Sequence, residues 1–146
     1  MATHPGGDNG KTILLADDEQ AVRNYVICLL HGSGYHFITG VDGQDALEKS
    51  RRFTGTINLL LSDVNMPHMN GIELATQIQI ERPTIQVVLM SGNGAGLLPL
   101  NKGWQFLAKP FTPRVLKSTV QALLPDEEHA RQNTSGPDTL ENDGGL

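Results

Sequence analysis

Short runs of apolar residues recur along the chain at 13–16, 57–61, 85–90 and, more weakly, 104–108, with a further candidate at 35–39 after the turn signal Gly32-Ser33-Gly34. Their apolarity is nearly continuous rather than alternating. A strand that is apolar throughout is covered on both faces, so the runs predict a parallel sheet between layers of helices. The segments between them carry helical spacing. Val22, Tyr25, Val26, Leu29 and Leu30 follow the i, i+3, i+4, i+7, i+8 pattern of one buried face. Asp42 can cap a helix running through Arg52, and residues 71–82 place Ile72, Ala75 and Ile78 on one side before Pro83 stops the helix. Thr112 and Pro113 read as an N-cap and an N1 proline, opening a helix whose Leu116, Val120 and Leu123 face inward and which Pro125 closes. This β-α repeat of five units predicts an α/β fold, a doubly wound open sheet with right-handed crossovers.

The length of 146 residues leaves room for one domain with a real core and not for two of ordinary size. The pattern puts that domain at 11–125, between an arm at 1–10 and a tail at 126–146. The formal charge of −5 belongs to the tail, where six acids face the single base Arg131, while the first 125 residues balance ten acids against ten bases. A neutral domain with an acidic, disordered tail is a poor holder of nucleic acid. The tail is also too short for a helix-turn-helix output domain. No apolar stretch approaches a membrane span, and the arm has neither the basic start nor the apolar middle of a secretory signal. Together with a lone cysteine, these features point to the cytoplasm. Cys28 lies among Val26, Ile27, Leu29 and Leu30, which suggests plain packing.

In doubly wound sheets, ligands bind beyond the carboxyl ends of the strands. There stand Asp17, Asp18 and Glu19 after the run at 13–16, Asp63 after 57–61, Ser91 after 85–90, and Lys109 with Pro110 after 104–108. Converging carboxylates repel one another, and oxygen-only clusters suit hard cations. Magnesium fits best, because it takes few protein ligands and keeps positions for water and phosphate oxygens. A carboxylate can attack phosphorus to form an acyl phosphate. A lysine then neutralises phosphoryl oxygens and a serine hydroxyl donates to one of them. Singly, each residue has an ordinary reading as a cap, a turn residue or a solvated charge; four ordered strand ends with complementary parts point to phosphoryl chemistry.

Four motifs carry a resemblance to a known family. The segment from Leu59 to Leu74, LLLSDVNMPHMNGIEL, resembles the phosphoacceptor stretch of the receiver domains of bacterial two-component systems. Leu14 to Glu19 resembles that family's acidic pocket, Met90-Ser91-Gly92 its hydroxyl position, and Leu107 to Phe111 its lysine-proline signature. The likeness covers 11–124. It implies a flavodoxin-like five-stranded sheet in the order 2-1-3-4-5 with helices on both faces. It implies further that Asp63 accepts a phosphoryl group from a sensor histidine kinase or a histidine phosphotransfer protein. Magnesium would be held by Asp18 and Asp63, by Asp17 through water, and by the backbone carbonyl of Asn65. Lys109 would pair with Asp63 and later with the phosphoryl group, its peptide bond to Pro110 being cis. Ser91 would move to bind a phosphoryl oxygen and Phe106 would swing inward with it, switching a surface read by an unidentified downstream protein. His68, in the phosphoacceptor loop, reads as a solvent-facing residue.

One segment departs from the family. Seventeen residues separate Ser91 from Lys109, fewer than usual, and they include Gly92, Gly94, Gly96, Pro99 and Gly103. The fourth helix is therefore expected to be short or absent, a shortening that resembles receiver domains attached to hybrid histidine kinases. Gly92 to Gly96 hints at a phosphate loop, but Leu97 stands where the dinucleotide fingerprint has its third glycine. A phosphatase of the haloacid dehalogenase type uses the same parts in another order. Its nucleophile is on the first strand with an aspartate two residues later, whereas here the acid pair comes first and Asn65 holds that later position. A binding module that keeps the fold without accepting phosphate is opposed by the joint presence of Asp17, Asp18, Asp63, Ser91 and Lys109.

Overall fold

The computed structural model describes residues 10–92 and 103–125. Five strands, β1 (Thr12–Ala16), β2 (His36–Gly40), β3 (Leu59–Asp63), β4 (Gln86–Ser91) and β5 (Gln105–Ala108), form one parallel sheet in the order β2-β1-β3-β4-β5. Four helices join and flank them: α1 (Gln20–Leu30), α2 (Gly43–Arg52), α3 (Gly71–Glu81) and α4 (Pro113–Leu123). The arm up to residue 9, the tail and residues 93–102, where the short or absent fourth helix is expected, lie outside the described residues.

The strand period of two divides the core into two layers. Ile13, Leu15, Leu59, Leu61, Val88, Met90 and Leu107 point to one face, where Val26 and Leu30 of α1 and Leu116 and Val120 of α4 cover them. Leu14, Leu60, Val87 and Leu89 point to the other, under Ala46 and Leu47 of α2 and Leu74, Ala75 and Ile78 of α3. That double covering is why the strands read as unbroken apolar runs.

The helix starts follow local chemistry. Asp42 accepts from the Asp45 N–H at 2.8 Å, and Thr112 accepts from the Val115 N–H at 3.1 Å with Pro113 next in the chain. Asn70 and Glu73 make a reciprocal capping box at the start of α3.

Several expectations need correction. Tyr25 is 44% exposed and leaves the buried face of α1 to stack on Phe111, with ring centroids 6.2 Å apart. Cys28 is exposed rather than packed, because the buried stripe of α1 narrows to Val26 and Leu30. Ile57, Ile85 and Trp104 precede their strands; they are buried, but in the connections that lead in. In α3 the buried stripe takes in Leu74, and Ile72 is only partly covered.

Arg82 joins α2 to α3 in a way that composition does not reveal. Its guanidinium donates to the Ser50 Oγ at 2.9 Å and to the carbonyls of Ser50, Phe53 and Gly55 at 2.8, 2.8 and 2.9 Å. It thereby ties down carbonyls at and just beyond the end of α2, where intrahelical donors run out. Arg82→Ala is expected to lower stability by about 2 kcal/mol, the range for hydrogen bonds from a charged donor. In urea unfolding the midpoint should fall at unchanged slope. Lysine should recover only part of the loss, since one ammonium cannot span the fork.

Candidate functional site

The carboxyl ends of β1, β3 and β4 carry Asp17, Asp63 and Ser91, and the end of β5 leads into Lys109. The parallel register forces this convergence: Asp63 pairs with Met90 across β3 and β4, and Ser91 with Ala108 across β4 and β5. Asp17 and Asp18 follow directly on β1, and the Asp17 N–H donates to the Gly40 carbonyl at the end of β2. Asp17, Asp18 and Asp63 each bring a carboxylate oxygen within 4.8 Å of the others.

Lys109 fills the space between two of them. Its ammonium donates to Asp17 Oδ2 at 3.1 Å and pairs with Asp63 Oδ1 at 3.2 Å. The other Asp17 oxygen accepts the Glu19 N–H at 2.9 Å, and Arg23 donates to the Asp17 carbonyl. Asp17 is wholly buried and Asp63 nearly so, while Asp18 is exposed at the rim. The peptide bond between Lys109 and Pro110 is cis.

Burial dominates the acidity of Asp63. It raises the carboxyl above the ordinary aspartate value; Lys109 opposes that shift, and Asp17 and then Asp18 add to it. For Lys109, burial works against the charge, but Asp17 and Asp63 outweigh it and the ammonium is held above its ordinary value. The site therefore carries an excess of negative charge around the Asp63 carboxylate. An all-oxygen donor set of three carboxylates, only one balanced by an internal cation, fits a hard divalent ion such as magnesium.

The loop after β3 is held tightly. Val64 continues the sheet by donating to the Met90 carbonyl at 2.9 Å, and the Gly71 N–H returns to the Val64 carbonyl at 2.8 Å. A Cβ on Gly71 would overlap the Asp63 carbonyl oxygen, so only glycine lets α3 start this close to Asp63. Asn65 is exposed in this loop. His68 is solvent-facing as expected, and its ring has a partner that the sequence does not announce: Nδ1 lies 3.0 Å from Asp42 Oδ2.

Ser91 is buried at the edge of the cluster. Phe106 is placed less directly. It pairs with Leu89 rather than with Ser91 in the ladder, and is partly buried against the layer under α2 and α3. The sequence-derived residues Asp17, Asp18, Asp63 and Lys109 are thus brought together, Ser91 adjoins them, and Phe106 sits two ladder positions back from the strand end.

Comparison with known proteins gives the family and the fold. The family model for the response regulator receiver domain matches residues 13–121. The sensor kinase CckA of Brucella abortus is 33% identical over 121 residues, which are 80% of this chain and 13% of that protein. The response regulator receiver protein CpdR of the same organism is 31% identical over 118 residues, covering 78% of this chain and 97% of its own. The chain thus spans a small part of the sensor kinase and nearly all of CpdR. Among solved structures, the response regulator TrrA of Thermotoga maritima in complex with Mg(2+)-BeF is 29% identical with a TM-score of 0.69, covering 78% of this chain and 99% of that one.

Proposed function

This chain belongs to the response regulator receiver domain family of two-component systems, and on that premise we propose that it accepts a phosphoryl group on Asp63 from a phosphohistidine and so switches a protein-binding surface. The observation that carries the proposal is the Lys109 ammonium between Asp17 and Asp63, at 3.1 and 3.2 Å, in a knot of three carboxylates at the strand ends. The donor is a sensor histidine kinase or a histidine phosphotransfer protein, and the reader of the switched state is another protein. Among the described residues no helix is long and apolar enough to cross a membrane. We assign the chain to the cytoplasm, where a lone exposed thiol such as Cys28 stays reduced.

In the proposed transfer an Asp63 carboxylate oxygen attacks phosphorus. The phosphorus–oxygen bond forms as the phosphorus–nitrogen bond breaks, and the electron pair returns to the imidazole of the donor, which takes up a proton. Lys109 keeps its charge throughout, turning from Asp63 toward the incoming phosphoryl oxygens. Asp18, Asp63, the Asn65 carbonyl and, through water, Asp17 would hold magnesium, which when bound neutralises charge on the phosphoryl oxygens. Ser91 then donates its hydroxyl to one phosphoryl oxygen, and Phe106 moves inward behind it. The chain assists its own phosphorylation and dephosphorylation and acts on no other substrate.

Magnesium binding tests the acidic pocket separately from the transfer. Asp18→Ala is expected to weaken magnesium at least tenfold in a calorimetric titration while leaving the fold unchanged, since Asp18 is exposed and carries no packing. Unchanged affinity would remove Asp18 from the ligand set.

A further inference from the structure

The loop between β3 and α3 holds one strained residue whose side chain has a charged partner. His68 has φ +69°, a left-handed conformation that few residues other than glycine adopt. Across it the Met69 N–H donates to the Pro67 carbonyl at 2.7 Å, which closes the three-residue reversal of a γ-turn. The ring leaves the loop to meet Asp42, and Asp42 is itself pinned. Its Oδ1 caps α2 through the Asp45 N–H at 2.8 Å while its Oδ2 faces His68 Nδ1 at 3.0 Å. The backbones are also in close contact, for a Cβ on Gly43 would overlap the Met69 carbonyl oxygen. Loop and helix therefore meet at a fixed point, where the His68 ring on Asp42 is the side-chain contact.

The surrounding charges leave Asp42 as the ring's counterion. Asp45 in the first turn of α2 accepts the Val41 N–H at 3.0 Å and pairs with Lys49 at 3.4 Å. Glu73, from the first turn of α3, is committed to the Asn70 N–H at 3.0 Å. Asp17, Asp18, Asp63 and Lys109 stand at the other end of the loop. The Asp45 N–H foremost, and His68 further, hold the Asp42 carboxyl below its ordinary value, so Asp42 is an anion across the neutral range.

We propose that His68 is a positioning residue for the phosphoacceptor site: gripped by Asp42, its ring holds the strained turn at 67–69 in place and so fixes the backbone of Asn65, three residues upstream. The inference rests on the proposed function, which gives the Asn65 carbonyl to magnesium. If the ring lets go, the strained turn at His68 loses its side-chain anchor, and the chain between Asp63 and the capping box at Asn70 relaxes.

Two variants separate the latch from folding. His68→Asn keeps a residue that tolerates positive φ and removes the ring. Asp42→Ser keeps an N-cap and removes the carboxylate. Backbone amide resonances of the unphosphorylated chain should differ from wild type at Asn65 and Met66 in both variants. Magnesium affinity should fall about two- to fivefold in each variant, the change that an exposed ion pair can supply. Wild-type protein that binds no magnesium would overturn the proposed function and this inference together. Wild-type magnesium affinity in Asp42→Ser and His68→Asn, or wild-type Asn65 and Met66 amide resonances in both, would overturn this inference alone.

Discussion

Asp63→Asn is expected to reduce phosphoryl uptake from a small acyl phosphate to background while leaving the protein folded and at least as stable as wild type. The amide has the same shape but no anionic oxygen to attack phosphorus. Stability should not suffer, because burial makes the ionised Asp63 unfavourable where it stands. The sign follows from linkage. With the carboxyl raised in the folded state, the folded chain binds more protons than the unfolded one above about pH 4, the ordinary aspartate value. Wild-type stability therefore falls as pH rises from there through the folded-state value of Asp63, and the asparagine variant lacks that fall. Lys109 retains Asp17 as its partner at 3.1 Å, so the variant does not strand the ammonium. Thermal unfolding at several pH values, beside intact-mass labelling, measures both halves. Undiminished labelling would move the acceptor elsewhere.

Lys109→Ala is expected to act on both chemistry and stability. Uptake should drop by about a hundredfold or more, the usual effect of removing one preorganised group that stabilises developing charge. Asp17 and Asp63 would then face each other and Asp18 with no internal cation, and Asp17 is wholly buried. Losing one partner of a buried pair is costly because of the charge left behind. The partial openness of the site moderates that penalty. The lysine contribution in wild type is present at neutral pH and is lost only above its ordinary value, about 10.4, as pH rises through its raised folded-state value. The deficit of the variant should therefore span the neutral range. It should shrink toward about pH 4, where the carboxylates take up protons, and magnesium should restore part of it at neutral pH. A variant equally stable with and without magnesium, and at both pH values, would contradict this account of the cluster.

Strand-end chemistry was legible because a parallel sheet gives every strand the same polarity, so residues just after separate apolar runs must share an edge. Asp17, Asp63, Ser91 and Lys109 could be grouped on that ground before any distance was known. Caps at Asp42 and Thr112 were legible because they depend on a few adjacent residues. The boundaries were less so. Ile57, Ile85 and Trp104 are apolar because the connections that hold them are buried, and periodicity does not distinguish such a residue from the first of a strand. Tyr25 fitted the helical stripe by spacing alone, yet its ring goes to Phe111, 86 positions later in the chain, a contact that no local pattern encodes. Arg82 and the pairing of His68 with Asp42 were missed for the same reason. Each is a long polar side chain meeting a distant helix end, and only the packing of α2 against α3 and the loop brings them together.

The most direct test of the central claim is to find the phosphoryl group. Incubation with magnesium and a small acyl phosphate, reduction of the acyl phosphate with borohydride, and peptide sequencing by mass spectrometry would mark the modified aspartate as its alcohol. The account predicts one modified residue, Asp63, formed only when magnesium is present. Modification at Asp17 or Asp18, or none at Asp63 in a chain shown to bind magnesium, would contradict it.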